Sequence, residues 1–160
     1  QSPMKSPTDA FAVPVRGREQ EDGSVFRPKF NSDGLVTAVT CDANTGKVLM
    51  VAHMNAEALA QTIETGIVHY WSRSRQAIWI KGETSGNRQK LIDLHTDCDQ
   101  DAVVLTVEQG GTGAACHTGR FSCFYRKVIL GDDGDFTLVY DDGERVFDPD
   151  AVYETRPNKL

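Results

Sequence analysis

The chain has 160 residues, of which 39% are apolar and 25% charged, with a formal net charge of −6. This length is typical of one domain with a buried core. The acidic balance argues against general nucleic-acid binding. No apolar run approaches the ~20 residues that span a bilayer, and no signal segment opens the chain, so we expect a cytoplasmic protein without a membrane partner.

The order of patterns along the chain predicts an α+β fold. Residues 1–23 are polar and proline-containing and are predicted to form a flexible N-terminal arm. Asn55 is placed to cap a helix over 56–64 that Gly66 ends, with Leu59 and Ile63 facing the sheet. Alternation and turn residues predict strands over 35–41, 47–53, 67–71, 77–81, 90–96, 102–107, 124–130 and 136–140. We therefore predict a mixed, mostly antiparallel sheet with one main helix, and an acidic C-terminal hairpin and tail over 131–160.

Three cysteines lie in one polar part of the chain. Cys98, Cys116 and Cys123 are spaced eighteen and seven apart and contain no C-x-x-C pair. Three thiolates leave the fourth zinc position open, which is typical of a catalytic zinc. Cys41, at the end of a predicted strand, is interpreted as a small buried side chain. The alternative is three unrelated core cysteines.

Three carboxylates alternate around Cys98. In an extended segment Asp97, Asp99 and Asp101 share one face, with Cys98 on the other. Oxygen ligands suit magnesium, calcium or manganese, whereas acids on a solvated edge strand are the alternative. If the thiol and the carboxylates point to opposite faces, one chain has difficulty gathering both sites. A zinc shared between chains, with Cys98 from one and Cys116 and Cys123 from another, is one hypothesis.

A basic stretch precedes the cysteines. Residues 73–90 contain one acid, Glu83, and five bases, which are Arg73, Arg75, Lys81, Arg88 and Lys90. A basic patch on an acidic protein indicates a small anionic ligand. His117, next to Cys116, is a candidate general acid or base, because the ordinary histidine pKa lies near 6.5. A supporting role beside a zinc ligand is the alternative for His117.

Four sequence motifs resemble the phosphoribosyl-AMP cyclohydrolase family of histidine biosynthesis, over roughly residues 31–128. They are the runs 70–75 (YWSRSR), 79–86 (WIKGETSG), 97–101 (DCDQD) and 116–125 (CHTGRFSCFY). The resemblance implies that 24–130 is the catalytic domain of an intertwined homodimer. It also implies that Cys98, Cys116 and Cys123 bind zinc across the dimer interface, and that Asp97, Asp99 and Asp101 bind magnesium.

The resemblance further implies zinc-dependent hydrolysis of the N1–C6 bond in the adenine ring of phosphoribosyl-AMP. His117 is the expected proton donor, with Glu83 as the alternative. The two phosphates of that substrate suit Arg73, Ser74, Arg75, Lys81, Thr84 and Ser85. The rival interpretation is a zinc-stapled dimeric module that binds a nucleotide without catalysis.

Overall fold

The computed structural model describes residues 10–111, 113–116 and 120–140. The elements in chain order are α1 (Arg18–Asp22), β1 (Val36–Asp42), β2 (Val48–Met54), α2 (Ala56–Thr65), β3 (His69–Ser72), β4 (Ala77–Ile80), β5 (Gln89–Thr96), β6 (Ala102–Gln109), β7 (Arg126–Leu130) and β8 (Phe136–Tyr140). The predicted strands and main helix are confirmed to within two residues at every end. The predicted tail beyond Tyr140 and the candidate His117 lie outside the described residues.

Six strands form one sheet in the order β4-β3-β2-β1-β6-β5. Every neighbouring pair is antiparallel except β1 and β6, which run parallel. The sheet is curled, since the residues just before β3 bond to the outer strand β5: Val68 N donates to Gln89 O at 3.0 Å and Leu91 N donates to Gly66 O at 2.8 Å. The α+β class with a mostly antiparallel sheet is therefore confirmed, and the curl places β3 next to β5.

Helix α2 covers the inner face of the sheet. Asn55 Oδ1 accepts a hydrogen bond from Ala58 N at 2.8 Å, and Gly66 ends the helix with φ 74°. Capping thus fixes both ends as the sequence predicts. The prediction that Ile63 faces the sheet is wrong, since this side chain is 43% exposed. Thr62 takes the buried position instead, because its hydroxyl accepts from His69 N at 2.8 Å and turns Ile63 outward.

The hydrophobic core lies between α2 and the concave side of the sheet. Its largest fully buried side chains include Leu49, Met54, Leu59, Tyr70 and Leu105. In β1 the buried positions alternate with half-buried ones, as expected for a strand with one face in the core. Burial of about 25 cal/mol per Å² of apolar surface is the main stabilising contribution of such a core.

The sequence did not predict helix α1. Gln20 on this helix is buried: its Oε1 accepts from Val15 N at 3.0 Å, and its Nε2 donates to Arg27 O and to Asp99 O, both at 3.0 Å. Phe11 also packs edge-on against Phe26 at 5.4 Å. Gln20 therefore attaches α1 to the turn that holds Asp99.

Strands β7 and β8 form a separate two-stranded hairpin, as predicted. All ten of their residues are exposed. Directly paired residues share a face, so one face of the hairpin consists largely of Val128, Leu130, Phe136, Leu138 and Tyr140. This apolar face does not pack on the core of its own chain within the described residues.

None of the helices in the described ranges is long and apolar enough to cross a membrane.

Candidate active site

The three aspartates lie in the turn between β5 and β6. Gln100 adopts φ 62°, and Gln100 N donates to Asp97 O at 3.1 Å. The prediction of an extended segment is therefore wrong, because this tight connection reverses the chain. The aspartates nevertheless converge: one oxygen from each of Asp97, Asp99 and Asp101 lies within 4.8 Å of the others.

The electrostatics of this turn reflect hydrogen bonds that the three aspartates share. Hydrogen bonds that Asp101 shares first with Asp97 and then with Asp99 raise the pKa of Asp101 to about 6. Burial acts to raise the pKa of Asp97, but hydrogen bonds from Asp101 and from the Ala102 amide outweigh it and lower that pKa. Asp97 Oδ1 also accepts from Asp101 N at 3.0 Å, so it shapes the turn as well. An all-oxygen group of this kind fits a hard cation such as magnesium.

Cys116 and Cys123 lie together at the far end of the sheet. Cys123 N donates to Leu49 O at 2.7 Å and Ser122 Oγ donates to Val48 O at 2.7 Å, which attaches this loop to β2. The hydrogen bond between the two thiols raises the pKa of Cys123. Two adjacent sulfur donors fit zinc, which prefers thiolate ligands and displaces such a shared proton.

Cys98 does not join the other two cysteines in the same chain. It lies in the aspartate turn, beyond the Ala102 end of β6. The loop with Cys123 is bonded to Val48 through Ser122. Val48 pairs with Cys41 on β1, and Cys41 pairs with Thr106 near the opposite end of β6. Ala102 and Thr106 are four residues apart on this strand, which corresponds to ~13 Å. Within the described ranges, the aspartates are the one group of three potential metal ligands that converges.

Lys81 connects the end of β4 to the cysteine loop. Its Nζ donates to Ala115 O at 2.6 Å and lies 5.9 Å from the centre of the Trp79 ring. Burial lowers the pKa of Lys81, and the thiols of Cys123 and Cys116 partly offset this effect. The ammonium group therefore sits where an anion would be attracted, next to the two sulfur atoms.

A cavity of about 420 Å³ opens beside Lys81 and Cys123. Most of the predicted substrate residues line it, together with the candidate acid or base: Arg75, Lys81, Glu83, Thr84 and Ser85. The volume lies in the range of small-molecule sites. The cavity thus combines cationic groups, hydroxyl donors, one carboxylate and one of the candidate zinc ligands.

Two predicted substrate residues lie elsewhere. Arg73 and Ser74 line a second hollow with His53 and Trp71. Burial, followed by the charge of Arg73, lowers the pKa of His53. The Ser72 and Ser74 hydroxyl oxygens are 3.4 Å apart, and Ser72 lines the first cavity. The structure therefore splits the basic stretch between two neighbouring hollows.

Two residues of the cavity were not predicted from the sequence. Trp79 was not among the predicted site residues but lines the wall beside Lys81. The signal was present, because residues two apart on a strand share a face. Met50 also lines the cavity, and nothing in the local sequence distinguishes it from an ordinary core residue.

Comparison with known proteins identifies the family. Residues 50–125 match the family model described as phosphoribosyl-AMP cyclohydrolase. A protein of that name from Rhodopseudomonas palustris (strain ATCC BAA-98 / CGA009) is 56% identical over 150 residues, covering 94% of this chain and 99% of the relative. One from Bradyrhizobium diazoefficiens is 60% identical over 88% of this chain and 98% of its own. One from Bradyrhizobium sp. (strain BTAi1 / ATCC BAA-1182) is 64% identical, with shares of 80% and 97%. The chain belongs to the phosphoribosyl-AMP cyclohydrolase family, hydrolases of histidine biosynthesis.

Proposed function

We propose that this chain opens the adenine ring of phosphoribosyl-AMP by hydrolysis of its N1–C6 bond, with zinc as a cofactor. The observation that carries the proposal is the cavity that joins Arg75, Lys81 and Cys123. Cationic side chains suit the phosphates of this substrate, and a candidate zinc ligand, Cys123, at the same wall suits hydrolysis at a ring carbon. The family assignment supports the same reaction.

Cys116 and Cys123, with Cys98, would hold the zinc. Their sulfur donors match the ligands that zinc prefers, and three protein ligands leave one position open. When bound, zinc lowers the pKa of a water molecule toward ~7 and so supplies a nucleophile near neutral pH. The thiol pair is the part of this ligand set that one chain assembles by itself.

The residues of the cavity have separate tasks in this proposal. Arg75 and Lys81 bind phosphate, and Thr84 and Ser85 add hydroxyl donors. Trp79 offers a ring against which the adenine packs; such stacking contributes about 1–3 kcal/mol per base in single-stranded nucleic-acid complexes. Glu83 faces the cavity and is the described candidate for moving a proton to or from the ring nitrogen. His117 remains the other candidate, from the sequence.

Asp97, Asp99 and Asp101 would hold magnesium. Their oxygens converge within 4.8 Å. Hydrogen bonds shared with Asp97 and Asp99 raise the pKa of Asp101, and the negative charges of those two residues add to this effect, which a cation would offset. The turn also carries Cys98, so a cation there would fix the position of that thiol. This role orders the turn and does not require contact with the substrate.

The active form is a homodimer in this proposal. Cys98 lies at the opposite end of β6 from the thiol pair, so a second copy is the natural source of the third sulfur. The apolar face of the β7–β8 hairpin supports association, because an isolated two-stranded hairpin has only marginal stability in water. A cytoplasmic location remains a prediction.

The test is turnover of phosphoribosyl-AMP, followed by ultraviolet absorbance on protein whose zinc content is measured. We expect the rate to follow zinc occupancy, to disappear on chelation and to return when zinc is added. A zinc-loaded protein that binds phosphoribosyl-AMP in the presence of magnesium without turnover would favour the non-catalytic binding module.

Two substitutions then separate the candidate acids. Removing a general acid or base typically lowers the rate by about 10²–10⁴-fold. We expect this loss in Glu83→Gln or in His117→Ala, with zinc content unchanged. Glu108→Gln is the control, because this exposed acid on β6 does not line the cavity. Unchanged rates in both variants would remove both residues from proton transfer.

A further inference from the structure

Polar side chains are buried behind the wall of the cavity. Thr40, Tyr70 and Gln89 are each 0% exposed and lie on β1, β3 and β5. Gln109, at the end of β6, continues this group. Buried polar groups are costly unless they are hydrogen-bonded, and these four side chains bond to one another. We call them the hydroxyl–amide chain.

The hydrogen bonds of the hydroxyl–amide chain run in one direction. The Tyr70 hydroxyl donates its proton to Gln89 Oε1 at 2.7 Å, so Thr40 donates in its 2.7 Å contact with Tyr70. Gln89 Nε2 donates to Gln109 Oε1 at 3.0 Å. Gln109 Nε2 then donates to the backbone oxygen of Asn87 at 2.7 Å. The hydroxyl–amide chain therefore begins in the central strand β1 and ends on the backbone of loop 82–88.

This loop forms one wall of the cavity. Thr84 and Ser85 both line it, and the Ser85 hydroxyl accepts from Asn87 N at 3.2 Å. The hydroxyl–amide chain also contacts two other lining residues. Tyr70 packs on Trp79 with 5.0 Å between ring centres, and Gln89 Nε2 lies 3.5 Å from Met50 Sδ. Its contacts thus reach three separate parts of the cavity wall.

The hydroxyl–amide chain is uncharged near neutral pH. Burial raises the pKa of Tyr70 above its ordinary value, and threonine and glutamine side chains do not titrate in this range. The hydroxyl–amide chain therefore places no charge near the cavity. It affects a ligand through the geometry of the cavity wall.

We propose that the hydroxyl–amide chain is a positioning device that keeps loop 82–88 in the conformation that binds the phosphorylated substrate. The inference rests on the proposed function, since it assigns Thr84 and Ser85 to phosphate binding. Gln109 is the critical positioning residue, because it alone of the four donates directly to the loop backbone, to Asn87 O and more weakly to Arg88 O at 3.4 Å.

The test compares Gln109→Met with Gln61→Met. Gln61 is a matched control, because it lies on α2 and donates to Glu57 there, away from the cavity. A loosened loop occupies the binding conformation less often, and apparent affinity falls by that fraction. We expect KM of Gln109→Met to rise about tenfold, equivalent to 1.4 kcal/mol. Saturating substrate restores the binding conformation of the loop, so kcat should stay within about twofold of the wild-type value.

A second readout does not depend on turnover. Hydrogen exchange at the amides of Gly86 and Asn87 should become faster in Gln109→Met and stay unchanged in Gln61→Met. This result stands even if the wild-type protein turns over no substrate, so failure of the proposed function is distinguishable. A lower melting temperature with unchanged KM and unchanged exchange would overturn the proposal.

Tyr70→Phe provides an independent variant. It removes the hydroxyl in the middle of the hydroxyl–amide chain and keeps the ring on Trp79. As in Gln109→Met, we expect KM to rise and hydrogen exchange in loop 82–88 to become faster. If both folded variants leave both quantities at wild-type values, these side chains only stabilise the core.

Discussion

At the scale of single residues, Lys81 shows how one side chain connects the substrate cavity to the cysteine loop. Its ammonium donates to Ala115 O, one residue before Cys116, and the residue lines the cavity. Burial lowers the pKa of Lys81, and the thiols of Cys123 and Cys116 partly offset that effect. A residue in this position affects both anion binding and the placement of a sulfur atom.

The first prediction concerns Lys81→Met, which keeps the length of the side chain and removes the charge. Hydrogen bonds to charged groups contribute about 1.5–3 kcal/mol, so we expect kcat/KM for phosphoribosyl-AMP to fall by roughly 10–100-fold. Lys127→Met, on the exposed strand β7, is the control and should match the wild type. Equal kcat/KM in all three proteins would exclude Lys81 from substrate binding.

The second prediction concerns the repulsion among the aspartates. Asp101→Asn removes one of three negative charges, so it should raise the melting temperature in a chelator. The same substitution should reduce the stabilisation that added magnesium provides. Asp93→Asn, on β5 outside this turn, is the control. If magnesium stabilises the wild type and Asp101→Asn equally in thermal unfolding, Asp101 is not a ligand.

The convergence of the three aspartates could be predicted from the sequence, whereas the geometry of their turn could not. Asp97, Asp99 and Asp101 are adjacent in the chain, so their grouping was expected on any backbone. Their arrangement was not, because it depends on the positive φ of Gln100 and on hydrogen bonds within the turn. Gln89 and Gln109 are twenty positions apart and meet only because β5 pairs with β6.

At the scale of elements, loop 82–88 depends on its glycines. Gly82 has φ +87°, and a Cβ there would collide with the backbone of Asn87 and Arg88. Gly86 has φ +79°, but a Cβ there would meet nothing within 4 Å. The two positions therefore share the same conformational demand and differ in the space available.

The third prediction uses this difference. Gly86→Ala should cost roughly 1–2 kcal/mol of stability from backbone strain alone. Gly82→Ala should cost more and should also raise KM, because the loop must shift away from Arg88. Chemical unfolding and steady-state kinetics on both variants measure these effects. Equal losses of stability with unchanged KM would mean that the loop conformation does not limit binding.

The elements that could be predicted from the sequence are those that local hydrogen bonds define. Asn55 and Gly66 define α2 through local hydrogen bonding, which sequence patterns reveal. Helix α1 has only five residues and no side-chain cap, and Gln20 holds it through distant contacts. The parallel pairing of β1 with β6 was also hidden, because alternation gives the face of a strand and not its neighbour.

At the scale of the whole molecule, the separation of Cys98 from Cys116 and Cys123 determines how an active assembly would be built. In a two-fold dimer each zinc site would take Cys98 from one chain and the thiol pair from the other. A chain that lacks either component would then form inactive dimers with itself. Mixed dimers behave differently, and this gives the sharpest test of shared ligands.

The fourth prediction is complementation between Cys98→Ser and Cys116→Ser. Each variant alone should be inactive. After subunit exchange half of the dimers are mixed, and each mixed dimer has one intact site of two, so activity should return to about a quarter of wild type. Mixing Cys116→Ser with Cys123→Ser is the control and should stay inactive. No recovery in the first mixture, despite exchange, would place all three ligands within one chain.

The parallel pair also sets the order in which the molecule can be completed during synthesis. Thr37 on β1 aligns with Ala102 on β6, 65 positions later. Ribosomes add about 5–20 residues per second, so this edge of β1 waits roughly 3–13 s for its partner. During that interval its backbone groups remain open to strands of other nascent chains. The edge of β1 that faces β6 therefore stays unpaired for longer than the edge that faces β2, since Val36 aligns with Met54 only 18 positions later.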